Sequence, residues 1–126
     1  MSTPALRLEA RDAVRVNGSW RVRWRVTNEG PDHARLVALR APHGRFRSEP
    51  VDLNIVVIES VVVDQTLRIE AAPGEEIRSA SVIFVVVSEH ETWRVLFRVR
   101  VRVEDDGTPA PQVEGVATER VGFGEA

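Results

Sequence analysis

Apolar and polar side chains along this chain alternate with the period of two that a half-buried β-strand requires, and no stretch carries helical spacing. The clearest early run is Trp20-Arg21-Val22-Arg23-Trp24-Arg25-Val26-Thr27. Leu6 to Val16 alternates more loosely before it. Asn17-Gly18-Ser19 between the two runs is a hairpin signal, because Asn and Gly both tolerate positive φ. A three-residue loop is the expected one, since it pairs Val16 with Trp20 and Val14 with Val22; a two-residue Asn-Gly loop sets Arg15 opposite Trp20 instead. The three-residue loop carries one cost, a like-charge pair of Arg15 and Arg21 on the solvent face.

Asn28-Glu29-Gly30-Pro31-Asp32 is dense in turn formers and stops the strand. Arg35 to Ala41 reads as a short strand, ended by Pro42 and the His43-Gly44 loop. Phe46 and the Val51-Leu53 pair suggest an irregular edge segment, and Pro50 suits an edge because it cannot donate to a ladder. Ile55 to Val63 is a near-continuous β-branched run that reads as a buried strand, with a break near Glu59-Ser60. Thr66 to Ala71 alternates again, and Ala72-Pro73-Gly74-Glu75-Glu76 is a turn. Ile77 to Val87 ends in a solid apolar block, and Ser88 to Thr92 form a short polar loop. In Trp93 to Glu104, Trp93, Val95, Phe97, Val99, Val101 and Val103 point one way, and Arg94, Leu96, Arg98, Arg100 and Arg102 the other.

Seven or eight short strands separated by turns predict an all-β fold, an antiparallel two-sheet β-sandwich with immunoglobulin-like topology. The sandwich is expected over residues 1–104. From Asp105 to Ala126 the composition shifts to Gly, Pro, Asp and Glu with isolated valines, which predicts a flexible acidic tail, although Val113, Val116, Val121 and Phe123 are able to dock on a neighbour. Residues 5 to 104 resemble the bacterial immunoglobulin-like domains of the CARDB and NEW3-type adhesion or accessory-module group. Val26-Thr27-Asn28-Glu29-Gly30 stands where that group has a V-x-N-x-G strand end, and Pro73-Gly74 where it has a turn before a long apolar strand. The resemblance implies the fold and no catalytic residue.

Composition narrows the classes. The chain has 126 residues, 17 basic and 19 acidic side chains, a net charge of −2 and no cysteine, so disulfides and thiolate metal sites are excluded. Every basic residue is arginine and valine occurs 22 times, a skew toward strands. No stretch approaches the roughly 20 apolar residues of a membrane span, so no membrane partner is expected. The opening MSTPALRLEA lacks the layout of a secretory signal, which predicts a cytoplasmic location, or export if the chain is a piece of a longer secreted protein.

The arginine rows are the most visible candidate surface. Arg21, Arg23 and Arg25 share one strand face, and Arg94, Arg98, Arg100 and Arg102 another, with Leu96 as the single apolar break. Side chains two apart on a strand face one way, about 7 Å apart, so such a row is able to track phosphates or an acidic surface. A solvated face paired with Glu9, Glu70 and other acids is the simpler account. Nucleic acid is disfavoured because the net charge is negative and the aromatic residues lie on the opposite face. His33, His43 and His90 match no metal-ligand spacing, Glu75-Glu76 and Asp105-Asp106 lack the alternating pattern of a calcium loop, and no G-x-S-x-G elbow occurs. Asn17-Gly18-Ser19 also matches a glycosylation sequon, and Gly122-x-Gly124 has no strand before it. No catalytic, cofactor or metal residue is assigned. Trp20, Trp24 and Trp93 fall on the inward phase, which argues against a carbohydrate module. The expectation is a non-enzymatic module for a protein partner or for self-assembly, acting through the edge segment at Phe46 and Val51 or the face of Arg94, Leu96, Arg98, Arg100 and Arg102. A carbohydrate-, ligand- or polyanion-binding sandwich is the alternative.

Overall fold

The computed structural model describes residues 3–121. Among the described residues nine strands follow one another: β1 (Leu6–Val16), β2 (Ser19–Asn28), β3 (Ala34–Arg40), β4 (Phe46–Arg47), β5 (Val51–Val57), β6 (Ser60–Ile69), β7 (Glu76–Ser88), β8 (Glu91–Val103) and β9 (Pro109–Arg120). They form two antiparallel sheets, one of four strands in the order β1-β2-β6-β4 and one of five in the order β5-β3-β7-β8-β9. The protein is therefore an all-β two-sheet sandwich. Its central strands, β1-β2-β6 against β3-β7-β8, are ordered consistently with an immunoglobulin-like fold.

The sheets close on side chains that alternation aims inward. Trp24, Phe84, Phe97, Leu36 and Leu39 are the bulkiest of them and are sealed from solvent. Phe84 and Phe97 meet edge-on, with ring centroids 6.0 Å apart, the arrangement that aromatic quadrupoles favour. Trp24 donates its indole N–H to Oε1 of the buried Gln65 at 3.1 Å, which lets a polar group sit in the core.

The first hairpin differs from the expected one. Val16 pairs with Ser19 and Arg15 with Trp20, so the loop is the two-residue Asn17-Gly18, with φ of 46° and 80°. This turn matches the twist of the strands better than a longer loop does. The phase that it shifts is restored by a bulge between Ala10 and Asp12, beyond which Ala10 faces Trp24 and Leu8 faces Val26. One extra residue, Arg11, is thus absorbed within the strand and not at its end. The like-charge pair of Arg15 and Arg21 does not form; Arg21 faces Val14.

Other boundaries shift for similar reasons. The apolar run Ile55 to Val63 is one strand in expectation and two in the fold, β5 and β6, which belong to opposite sheets. The break falls at Ile58-Glu59, close to the expected place. Thr66 to Ile69 continues β6 without interruption. The loop expected over Ser88 to Thr92 tightens to Glu89-His90, both at positive φ (51° and 65°). Most of the expected tail is a strand: β9 pairs with β8 from Val103↔Pro109 to Trp93↔Arg120. Pro109, Pro111 and Val113 lie over Val103, Val101 and Val99, where the missing proline N–H groups are tolerated on an edge. Phe123 and Gly122-x-Gly124 lie outside the described residues.

Candidate functional site

β8 carries its residues as expected. Trp93, Val95, Phe97, Val99, Val101 and Val103 face the core, and Arg94, Leu96, Arg98, Arg100 and Arg102 face outward. Three of these four arginines meet acids, two of them on neighbouring strands. Arg94 meets Glu119 at 3.1 Å, Arg100 meets Glu114 at 3.5 Å and Glu76 at 3.8 Å, and Arg102 meets Glu104 at 3.9 Å. On the other sheet Arg23 lies between Asp12 and Asp64. This interleaving removes the continuous positive track that a polyanion backbone would follow. Within the β8 row, Arg98 alone has no acidic partner among the described residues. It lies flat over Gly115, where an added Cβ would come within 3.2 Å of Nη2.

Leu96 is not an isolated apolar break. Across strands it aligns with Ile83 on one side and Ala117 on the other, and two residues along, on the same face, Val85 aligns with Ala38 and Arg94. Ile83 is only 7% exposed although it faces out, consistent with arginine stems lying along apolar surface. The solid block Val82 to Val87 carries this signal in the sequence, because a strand apolar on both faces has both faces covered. A shallow hollow of about 250 Å³ lies beside this stripe, lined by Ser79, Ser81, Leu96, Arg98, Gly115, Val116 and Ala117.

The two edge residues singled out in the sequence turn inward. Phe46 is buried against the core, and Val51 is half-buried and packs on it. The edge segment itself is real and divides into two strands. β4 pairs with the end of β6, Phe46↔Ile69 and Arg47↔Arg68, and β5 forms the outer edge of the five-stranded sheet against β3. Between them the chain crosses from one sheet to the other over a hollow of about 610 Å³ lined by Arg47, Ser48, Glu49, Pro50, Val51, Asp52, Asp64 and Thr66.

β5 is the least guarded long edge. β9 begins with two prolines, which discourage edge pairing, and β1 lies beside β9; β5 has no such cover, although its own register against β3 slips by one residue between Ile55 and Asp52. β5 runs Val51-Asp52-Leu53-Asn54-Ile55-Val56-Val57 without a proline. Val56 and Ile58, at the corner where β5 passes to β6, are 51% and 59% exposed, and Val62, opposite Arg25, is exposed on the outer face of the other sheet. Asn28 holds this corner: its side-chain amide donates to the carbonyls of Val57 (3.0 Å) and Asp32 (2.9 Å), and its Oδ1 accepts from the Gly30 N–H (3.0 Å).

The titratable loop groups serve turns. Glu75 is held below its usual value of 4.5 by the Ala72 N–H and then by Arg45, whose guanidinium it meets at 2.9 Å. Asp106 is likewise lowered, chiefly by the Thr108 N–H. His43 Nδ1 accepts from the Arg45 N–H at 3.0 Å. Among the described residues no three His, Asp or Glu side chains are grouped to hold a metal ion, and no helix is long and apolar enough to cross a membrane. Trp24 is buried, Trp93 is half-buried against the core, and the half-buried Trp20 has the Arg15 guanidinium over its ring, so no tryptophan offers the open flat face that stacks on a sugar. No protein-family model, curated protein or solved structure matches the chain.

Proposed function

We propose that this chain is a non-catalytic interaction module, an immunoglobulin-like sandwich that takes a protein partner by strand addition along β5. The observation that supports the reading is the open, proline-free edge Val51–Val57 ending in the exposed apolar corner of Val56 and Ile58. An extended partner segment laid along such an edge gains main-chain hydrogen bonds for affinity and side-chain alternation for register. The arginine-framed stripe of Ile83, Val85 and Leu96 lies on the same sheet and extends the contact face. The kinship with CARDB and NEW3-type accessory modules belongs to this proposal; it is supported by Asn28 and Pro73-Gly74 standing at structural corners of the sandwich.

The test is selection of extended peptides from a random library on the full chain, followed by amide chemical-shift mapping of the bound state. Strand addition requires the shifts to centre on residues 51–57. Binders that instead perturb Arg98, Leu96 and Gly115, and that release steeply with salt, would replace this reading with an anion-binding outer face.

A further inference from the structure

We infer that the partner fitted by β5 is a second copy of the same chain, joined antiparallel across a two-fold axis through Asn54; the inference rests on the proposed use of the β5 edge. The strand is self-complementary about that residue in sequence and in its alternation of burial, and its one irregularity against β3, an extra residue between Ile55 and Asp52, falls at the same centre. Reversed on itself, it sets Asn54 against Asn54, Leu53 against Ile55, Val51 against Val57 and Asp52 against Val56 of the second copy. Every inward residue thereby meets an inward residue. A one-residue slip sets Leu53 against Asn54 and turns one copy's apolar set outward. Val51, Leu53 and Ile55 are half-buried members of the core with one flank open, and the second copy completes that flank.

Charge selects the same pairing. Asp52 and Arg35 both face outward and neither has an oppositely charged partner among the described residues. Arg35 pairs with Val56 of its own chain, and in the joined sheet Val56 faces Asp52 of the second copy. Arg35 and that Asp52 then stand two strands apart, roughly 10 Å between backbones, with Val56 between them. The long guanidinium, now resting on Asn54 Oδ1 at 3.4 Å, spans that gap. The symmetry repeats the contact, so two Arg35-to-Asp52 attractions and a central Asn54 pair fix the register. The product is a continuous ten-stranded sheet, built by the isologous contact most soluble dimers use.

The absence of cysteine from the chain makes the test direct. Sedimentation of the full chain over a wide concentration range should show a dimer, and Asn54→Cys should oxidise to a disulfide-linked dimer, because paired antiparallel positions have Cα atoms about 4.5–5.5 Å apart, within disulfide reach. Asp52→Cys and Val56→Cys should cross-link poorly alone and well when mixed. Asp52→Arg should weaken the dimer by about tenfold, and adding Arg35→Asp should restore most of it; circular dichroism checks that these exposed positions leave the fold intact. A chain monomeric at every concentration overturns the inference while the peptide mapping still decides whether β5 binds strands at all. A dimer that cross-links at neither Asn54 nor the mixed pair, or that is indifferent to Asp52→Arg, overturns it as well.

Discussion

Arg15 lays its guanidinium over the indole ring of Trp20, 4.8 Å from the ring centroid, directly across the first hairpin. The contact exists only because the loop has two residues; a three-residue loop would set Val16 there. Arg15 also reaches the β8–β9 turn, where an added Cβ on Gly107 would lie 3.4 Å from Nη2 and the carboxylate of Asp106 feels its charge. One side chain thus ties the β1–β2 hairpin to the strand pair that ends the other sheet.

Replacing Arg15 with alanine should lower stability by about 0.5–1 kcal/mol, the usual worth of a cation on an exposed aromatic face. Urea unfolding followed by tryptophan fluorescence checks it, with the midpoint falling and the slope unchanged. Arg15→Lys should recover part of the loss. A midpoint equal to that of the native chain would mean that the stacking contributes nothing.

Trp24 and Gln65 should be strongly coupled. Gln65 is 1% exposed, and its Nε2 has no partner among the described residues, so its place in the core rests on the bond from Trp24 to Oε1. In the native background, Gln65→Leu orphans the indole N–H and should bring no gain. In a Trp24→Phe background the same change removes a buried amide with no partner at all and should stabilise by about 1–3 kcal/mol. A double-mutant cycle reads the difference, and equal effects in both backgrounds would show the bond to be energetically idle.

The strands were legible wherever one face is buried and the other is wet. β2 and β8 show their alternation plainly, and their inward residues are the ones that form the core. What the pattern hides is register. Arg11 lengthens β1 by one residue inside the strand, and a local reading transfers that extra residue to the loop. Ile55 to Val63 hides a sheet change because both of its strands are apolar and only Ile58-Glu59 divides them. β9 hides because proline, alanine and glycine dilute its alternation to Pro109, Pro111 and Val113. The outward arginines were legible for their placement, but their neutralising acids, Glu119, Glu114 and Glu76, come from strands whose register was not. The edge at Phe46 to Leu53 was legible as an edge; that Phe46 turns inward was not.

Stability should depend on Glu75 in acid. The folded chain holds this carboxyl below its ordinary value of 4.5, so its contribution is fully present above that value and is lost as pH falls through the lowered folded one. Melting temperatures of the native chain and of Glu75→Gln, measured from neutral pH down to about 3, should differ at the upper end and converge at the lower. A constant gap would assign the effect to the shape of the Ala72-to-Glu75 turn and not to charge.

Asn28 should be among the costliest polar positions to change, because one amide serves three backbone groups at the corner where β2 leaves its sheet. Asn28→Ala leaves the part-buried carbonyls of Asp32 and Val57 without their donor and should cost about 1–3 kcal/mol. Asn28→Asp separates the roles, since it keeps an acceptor for the Gly30 N–H but points a carboxylate at two carbonyl oxygens 2.9 Å and 3.0 Å away. It should therefore destabilise more than alanine does at neutral pH, and the gap should close as the carboxyl is protonated. Because Val57 ends the β5 edge, hydrogen exchange of residues 51–57 should accelerate in both variants before that of β7 and β8 does. Acceleration spread evenly over the sheet would mean that Asn28 stabilises the whole fold and not the corner it bridges.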